Sequence, residues 1–343
     1  MTSLRDRKED RTFVGLDYAQ SGVQVCVLDA GGTMRMNRLC PNDGREIQRR
    51  VERFGPVAEV AIESCCGAAD LNEELVEHAG WSVQLAHPGF VRRMKQNPDK
   101  SDFSDARMLA DLTRVGYLPR VWLAPEKIRE LRRLTRYRRQ QVDMRRNIKL
   151  RILAILRELR IKQPPLTRWC GPWLSWLGSC ESLTEQARWV IDRWLRQIDF
   201  ITREIELVMD RLRRLTAEDV MTQRLLSLRG IGEVTAFTLR AEIGRFDRFR
   251  TGKQLSRFCG LSPRNASSGD RQADAGLIRA ANGTLRAVII EAAHRLARFD
   301  PRWSAFRQRM REAGKPGSVI AAAIGNRWVR WLYHQMKPLG LAA

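Results

Sequence analysis

Short apolar runs mark the first third of the chain, and long helical stripes mark the rest. Residues 12–17 (TFVGLD) are a brief apolar run, and residues 23–28 alternate and are rich in Val. Gly31-Gly32 then turns the chain into residues 33–40, so three strands are expected. A polar helix is expected at about 43–54, a buried strand at 57–62 (VAEVAI), a helix at 68–79, a strand at 81–86 and a helix at about 103–115. The order β-β-β-α-β-α-β-α is a meander feeding α/β units. It predicts a mixed central sheet with helices on its faces.

After Pro119 the period becomes helical. Residues 127–160 hold 13 basic and 3 acidic residues and no Gly or Pro. They read as one long basic helix whose second half carries Ile148, Ile152, Ile155 and Leu159. Pro164-Pro165 ends it, and a loop with Trp169, Trp173 and Trp176 follows. Residues 184–215 carry a heptad stripe, from Ala187 and Ile191 through Trp194, Ile198, Ile201, Ile205, Val208 and Leu212 to Leu215. So narrow a stripe on so charged a helix needs a second helix over it. That helix is either 127–160, in an antiparallel hairpin, or one from a second subunit.

Residues 226–232 (LSLRGIG) read as two short helices joined by a G-I-G turn, a helix–hairpin–helix. Gly230 and Gly232 would let backbone N–H groups approach a phosphate; an ordinary tight turn is the plainer alternative. Residues 264–275 read as a polar loop, and helices are expected at 282–297 and about 318–336.

Composition adds a partner. Of the 343 residues, 61 are Lys or Arg and 39 are Asp or Glu, a formal net charge of +22, and 52 of the 61 bases are Arg. Such a surplus repels itself unless a polyanion absorbs it. Arg forks onto phosphates and stacks on unpaired bases, so the composition points to nucleic acid. A GC-rich genome would explain Arg over Lys, but not the excess of both over acids. The 43% of hydrophobic residues excludes a wholly disordered chain, and no stretch approaches the ~18 apolar residues of a membrane span. Seven Cys, an odd number, and no apolar run in residues 1–11 argue against a secreted, disulfide-stapled domain and for a cytoplasmic protein. With no C-x-x-C and only four scattered His, a zinc site is not expected.

Four acids carry the chemistry. Asp17 ends the first strand, Glu63 follows the strand at 57–62, and Asp102 and Asp105 stand three apart at the start of a helix, facing one way. Carboxylates from these elements are expected to converge at the rim of the sheet and to hold Mg²⁺, which takes oxygen ligands. Two such ions can clamp the attacking and leaving oxygens of a phosphodiester. Each acid also has a bland reading: a strand-end turn residue for Asp17, and a helix cap for Asp102 or Asp105.

Residues 13–17 (FVGLD), 61–67 (AIESCCG) and 99–107 (DKSDFSDAR) resemble the three acidic blocks of the DEDD transposases. These are insertion-sequence recombinases related to Piv-type DNA invertases. Residues 226–232, 239–244 (LRAEIG), 260–263 (GLSP) and 267–269 (SSG) resemble the family's second domain, so the likeness runs in order over roughly residues 12–300. It implies an α/β ribonuclease-H-like (resolvase-like) domain over 12–118 after a tail at 1–11. A basic, coiled-coil helical domain would follow over 119–220. A mostly α C-terminal domain with a helix–hairpin–helix would occupy 221–343. It also implies a serine nucleophile, which matches Ser268 here, with Ser267 as the alternative.

Arg264, Arg271 and Arg279 lie nearby to neutralise the phosphate. Arg132, Arg133, Arg136 and Arg139 on the basic helix are candidates for nucleic-acid contact. The family further implies a structured guide RNA that pairs with donor and target DNA. A homo-oligomer, dimer or tetramer, is expected because exchange requires several active centres. The family often has Pro where Arg229 stands and small residues where Cys65 and Cys66 stand. Neither departure is expected to touch the chemistry. Two rivals remain at this point: a junction-resolving endonuclease that uses the same acids with water, and a non-catalytic nucleic-acid-binding protein.

Overall fold

The computed structural model describes residues 11–95, 101–265, 274–278 and 281–340. The chain forms two compact units, Met1–Leu123 and Ala124–Ala343.

The first unit is built on a six-stranded mixed sheet. β1 (Thr12–Ala19), β2 (Gly22–Asp29) and β3 (Met34–Cys40) are the expected antiparallel meander. Asp43 then caps α1 (Gly44–Val51), accepting from the Glu46 N–H at 2.8 Å. A single 3₁₀ turn (Glu52–Phe54) returns the chain to β4 (Val57–Glu63), which lies beside β1 and parallel to it. α2 (Ala68–Ala79) carries it to β5 (Val83–Ala86), parallel to β4. Parallel neighbours need such crossovers, because a tight turn only reverses a strand. α3 (Pro88–Met94), α4 (Asp102–Arg114) and the two-residue β6 (Arg120–Val121) complete the unit, in strand order β3-β2-β1-β4-β5-β6. α3 and β6 were not expected from the pattern. Pro88 sits in the first turn of α3, where its missing N–H costs nothing, and β6 is too short to show alternation.

Strand alternation sorts the two faces. Val14, Leu16, Val60 and Ile62 pack with Ile47 and Val51 of α1 and with Leu71 and Leu75 of α2. Gly15 and Ala61 face the other way, toward α4. A Cβ on Gly15 would lie 2.0 Å from the Ala106 carbonyl oxygen and 2.4 Å from the Ala110 nitrogen. The glycine therefore seats α4 directly on the strand, and Ala106 and Ala110 keep the helix side of the contact equally small.

The second unit is helical. α5 (Glu126–Glu158) and α7 (Glu185–Thr216) run antiparallel, with Tyr137 donating to Glu204 at 2.9 Å and Arg145 to Thr202 at 3.0 Å. Ile191, Ile201, Ile205, Val208 and Leu212 of the stripe are buried, so α5 is a covering helix within the same chain. Leu215, 45% exposed, falls outside the seam. α5 stops before Pro164, at Glu158, where Arg160 takes a left-handed φ of 53°.

The Trp-rich segment is not merely a loop. It contains α6 (Gly171–Gly178), whose Trp173 is fully buried between Trp169 and Trp176. Gly171 opens the helix, with Pro172 in its first turn.

Beyond it, α8 (Val220–Leu226), α9 (Glu233–Ile243), α10 (Gly252–Phe258), α11 (Gly283–Phe299), α12 (Pro301–Glu312) and α13 (Gly317–Gly340) enclose one core. Leu225, Leu239, Phe246, Ile289 and Trp328 lie at its centre. α10 and α12 were also unexpected. The segment expected to be a polar loop begins and ends in two short paired strands, β7 (Pro263–Asn265) and β8 (Asp274–Leu277). Among the described residues, no helix is long and apolar enough to cross a membrane.

Candidate active site

The register of β1 and β4 places two of the four acids. Leu16 pairs with Ile62, so Asp17 and Glu63 are the next residues on adjacent parallel strands, which lie ~4.8 Å apart. Both share the Gly15–Ala61 face, beneath α4, and both are half-buried. Nearby, partial desolvation first, then the carboxylate of Glu63 and more weakly that of Asp17, push the thiol of the exposed Cys65 above its ordinary value. Cys65 therefore lies near both carboxylates. The turn that carries it closes on Gly67, whose φ is +88° and whose Cβ would meet the Tyr18 hydroxyl at 2.2 Å. Only glycine satisfies both conditions.

α4 supplies the other two acids. Its far end reaches the β2–β3 turn, where Arg114 donates to the Ala30 carbonyl. Its near end receives the Asn37 side chain on the Phe103 carbonyl at 2.9 Å. The helix thus runs back against β1, with its start toward the strand's C-terminal end. Ser101 caps it, so neither acid is the cap. Asp102 is exposed, while Asp105 is buried, 6% exposed, and paired with Lys95 Nζ at 2.5 Å. A buried carboxylate needs such a counter-charge. Among the described residues, no three acid, His or Cys side chains come close enough to hold an ion in this arrangement. Lys95 is the residue that the pattern missed. It signals itself only as a base at the end of a helix that was itself not foreseen.

In the second unit the basic helix is used differently from expectation. Arg132 donates to the carbonyls of Ala241 and Glu242 at 2.7 and 3.3 Å. Arg136 forks onto the Glu242 carboxylate at 2.9 and 3.1 Å. These two arginines tie α5 to α9, a structural role that the charge run did not suggest. A charge run does not reveal a buried acid more than a hundred residues away. Arg133 pairs with Glu130, and Arg139 with Asp143 at 2.8 Å, on the exposed face of α5.

Gly230, at φ +84°, packs under Leu296, where a Cβ would come within 2.6 Å, so its glycine serves packing. Gly232 is open and precedes α9, whose first turn carries Glu233 held by Arg213 at 2.7 Å. Arg264 is exposed on β7. Ser267, Ser268, Arg271 and Arg279 lie outside the described residues.

Two family models match this chain. A DEDD transposase model of the IS110 type covers residues 14–161, including all four acids. A model described as the transposase IS116/IS110/IS902 family covers residues 222–308, including Gly230, Gly232 and both serines. The chain belongs to the IS110 family of DEDD transposases. It is an enzyme of DNA cutting and rejoining.

Relatives of this transposase span nearly its whole length. It is 27% identical over 344 residues to a probable family 20 transposase of Pseudomonas aeruginosa, covering 93% of this chain and 95% of the relative. It is 25% identical over 287 residues to the transposase for insertion sequence element IS1328 of Yersinia enterocolitica, covering 82% and 83%. The transposase for insertion sequence element IS1111A of Coxiella burnetii is 24% identical over 303 residues, covering 86% and 80%. In the transposase, the strand-end acids Asp17 and Glu63 are on neighbouring strand ends, and Asp102 and Asp105 stand in the first turn of α4.

Proposed function

We propose that this transposase exchanges DNA strands through a ribonuclease-H-like acidic site and a serine. The observation that carries the reading is the register of β1 and β4, which sets Asp17 beside Glu63 under the start of the helix bearing Asp102 and Asp105. The donor set is all oxygen, which suits Mg²⁺. Bound by Asp17, Glu63, Asp102 and Asp105, Mg²⁺ would supply positive charge to the attacking and leaving oxygens of a phosphodiester. For Asp105 to join, Lys95 must release it.

The attacking group is the Ser268 hydroxyl, with Ser267 as the alternative. Its oxygen bonds to phosphorus and one bridging P–O bond breaks. The proton lost by the serine is balanced by one taken up on the leaving oxygen. Arg264, Arg271 and Arg279 neutralise the phosphate. The partners are donor and target DNA, with a structured RNA as guide. Because exchange needs several active centres, the working form is a homo-oligomer.

Ser268→Ala tests the reading. The variant should bind DNA as the parent does, yet form no covalent protein–DNA adduct and give no strand transfer, scored by denaturing gel and by recombination in cells. Ser267→Ala, measured in parallel, should be milder. Full recombination by Ser268→Ala would remove the serine mechanism and favour a water-using nuclease. Loss only in Ser267→Ala would move the nucleophile by one residue.

A further inference from the structure

The C-terminal helices hold a cleft lined by none of the residues named above for the chemistry. It lies between α12 and α13, has a volume of about 630 Å³, and is lined by arginines and aromatic rings. Helical spacing builds both walls. Arg302, Phe306 and Arg309 share one face of α12, at i, i+4 and i+7. Arg327, Arg330 and Trp331 share one face of α13. The four arginines are exposed, whereas Phe306 and Trp331 are half-buried and form the floor. The walls meet across the cleft, where the Arg327 guanidinium stands over the Phe306 ring at 4.6 Å.

Charge and concavity coincide in this cleft. Some arginines of the chain pair with acids, as Arg49 does with Glu46, Arg114 with Asp111 and Arg139 with Asp143. No acidic residue lines this cleft, and none of its four arginines takes an ion pair among the described residues. Four like charges around one concavity repel one another and focus a positive potential into it. The residues suited to relieving them are anionic and flat at once. Guanidinium groups take phosphate oxygens, while Trp and Phe faces take a base. The volume is that of a small-ligand site and accommodates one or two nucleotides. A duplex keeps its bases stacked inside and would leave the aromatic floor unused.

We propose that the cleft between α12 and α13 binds an unpaired nucleotide within a single-stranded stretch of DNA or RNA. The base lies on Phe306 and Trp331, and the flanking phosphates lie on Arg302, Arg309, Arg327 and Arg330. The proposal rests on the reading of the protein as an enzyme acting on nucleic acid. It adds a binding site in a region that the second family match, ending at residue 308, mostly does not reach.

The test is fluorescence anisotropy with the full chain in EDTA, so that no strand cleavage intervenes. The probes are a labelled 12-nucleotide oligo-dT, its oligo-U counterpart and a blunt duplex of equal length. Arg327→Gln/Arg330→Gln should weaken single-strand binding by about tenfold or more. It should also lower the slope of log affinity against log salt by about 1.4, the value for two lost phosphate contacts. Phe306→Leu and Trp331→Leu should weaken it by about fivefold or more with the salt slope unchanged, because stacking releases no counterions. Melting curves check folding, and Phe306→Leu alone suffices if Trp331→Leu is unstable.

Arg196→Gln/Arg203→Gln on α7 removes the same charge elsewhere and should do much less. A loss confined to oligo-U assigns the cleft to RNA, and one confined to oligo-dT assigns it to DNA. Equal losses on the duplex, or an equal loss in the α7 control, overturn the proposal, as do cleft variants that bind like the parent. Recombination stays a separate readout. Unchanged binding in the cleft variants with recombination still abolished by Ser268→Ala sinks the cleft alone. Weakened binding in a protein that recombines without Ser268 sinks the serine mechanism alone.

Discussion

The buried acids of the two units are held in opposite ways. In the helical unit, Asp219 accepts both arms of Arg240 at 2.8 Å and also the backbone N–H and hydroxyl of Thr222 at 2.9 and 2.6 Å. Glu242 accepts the fork of Arg136 and the Asn282 amide at 2.8 Å. In both, burial alone would raise the carboxyl, and the arginine with its supporting donors outweighs that and holds it below the ordinary range. In the sheet unit, Asp105 is just as buried but, among the described residues, its ion pair is with one ammonium on a flexible stem. The first arrangement is closed and rigid, with lone pairs filled from several sides. The second is one point charge that another cation can replace. An acid whose partner is exchangeable is one that the fold keeps available, and an acid locked by a planar fork is one that the fold has used for itself.

The largest expected effect separates activity from stability at the rim. Asp17→Asn should lower strand exchange by about three orders of magnitude or more, the equivalent of several kcal/mol of lost charge stabilisation. Its melting temperature should stay within about 2 °C of the parent, since it fills no core position. A variant that recombines normally would remove Asp17 from the site.

Asp219→Ala should behave in the reverse sense. It strands Arg240 in a buried position and should cost about 3–5 kcal/mol in denaturant unfolding. The pH dependence follows from the depressed carboxyls of Asp219 and Glu242. Their stabilisation is complete above the unfolded carboxylate range near pH 4 and is lost as pH falls through the lower folded values. The parent should therefore lose stability below about pH 4, and Asp219→Ala should show a shallower loss. Equal acid sensitivity in the two proteins would break the account of Asp219.

The smallest effect is the one that sharpens the contrast. Lys95→Met should destabilise the protein by on the order of 1–3 kcal/mol in EDTA, because Asp105 loses its counter-charge. Millimolar Mg²⁺ should restore more of that loss than it adds to the parent, read as melting temperature without any reaction. The same titration should do no more for Asp219→Ala than it does for the parent. Identical responses of the two variants to Mg²⁺ would mean that Asp105 is a structural acid like the other two.

Much of this was legible in the residues because period and element type were strong. The meander and the strand ending in Glu63 follow from alternation, and α5 and α7 follow from uninterrupted helical runs. The four acids were legible as strand-end and helix-start positions. What escaped was whatever depends on a partner far along the chain. Nothing local distinguishes Arg132 and Arg136, which bind α9, from Arg133 and Arg139, which pair with acids along α5 itself. Cys65 joined the acid pair only once the turn through Gly67 was folded. Of the missed helices, α3, α6 and α12 carry proline in the first turn, where its missing N–H costs nothing. Lys95 went unseen because α3 did.

The seat of α4 on Gly15 has a consequence of its own. Side-chain contacts can trade one rotamer or one methyl group for another, but here carbonyl and amide meet a bare α-carbon and nothing can yield. The height of the helix above the strand is thus a fixed gauge, set by covalent dimensions rather than by the choice of core residues. Sequence drift elsewhere in the sheet leaves that gauge untouched, whereas a single added methyl at Gly15 would lift the start of the helix off the strand that carries Asp17.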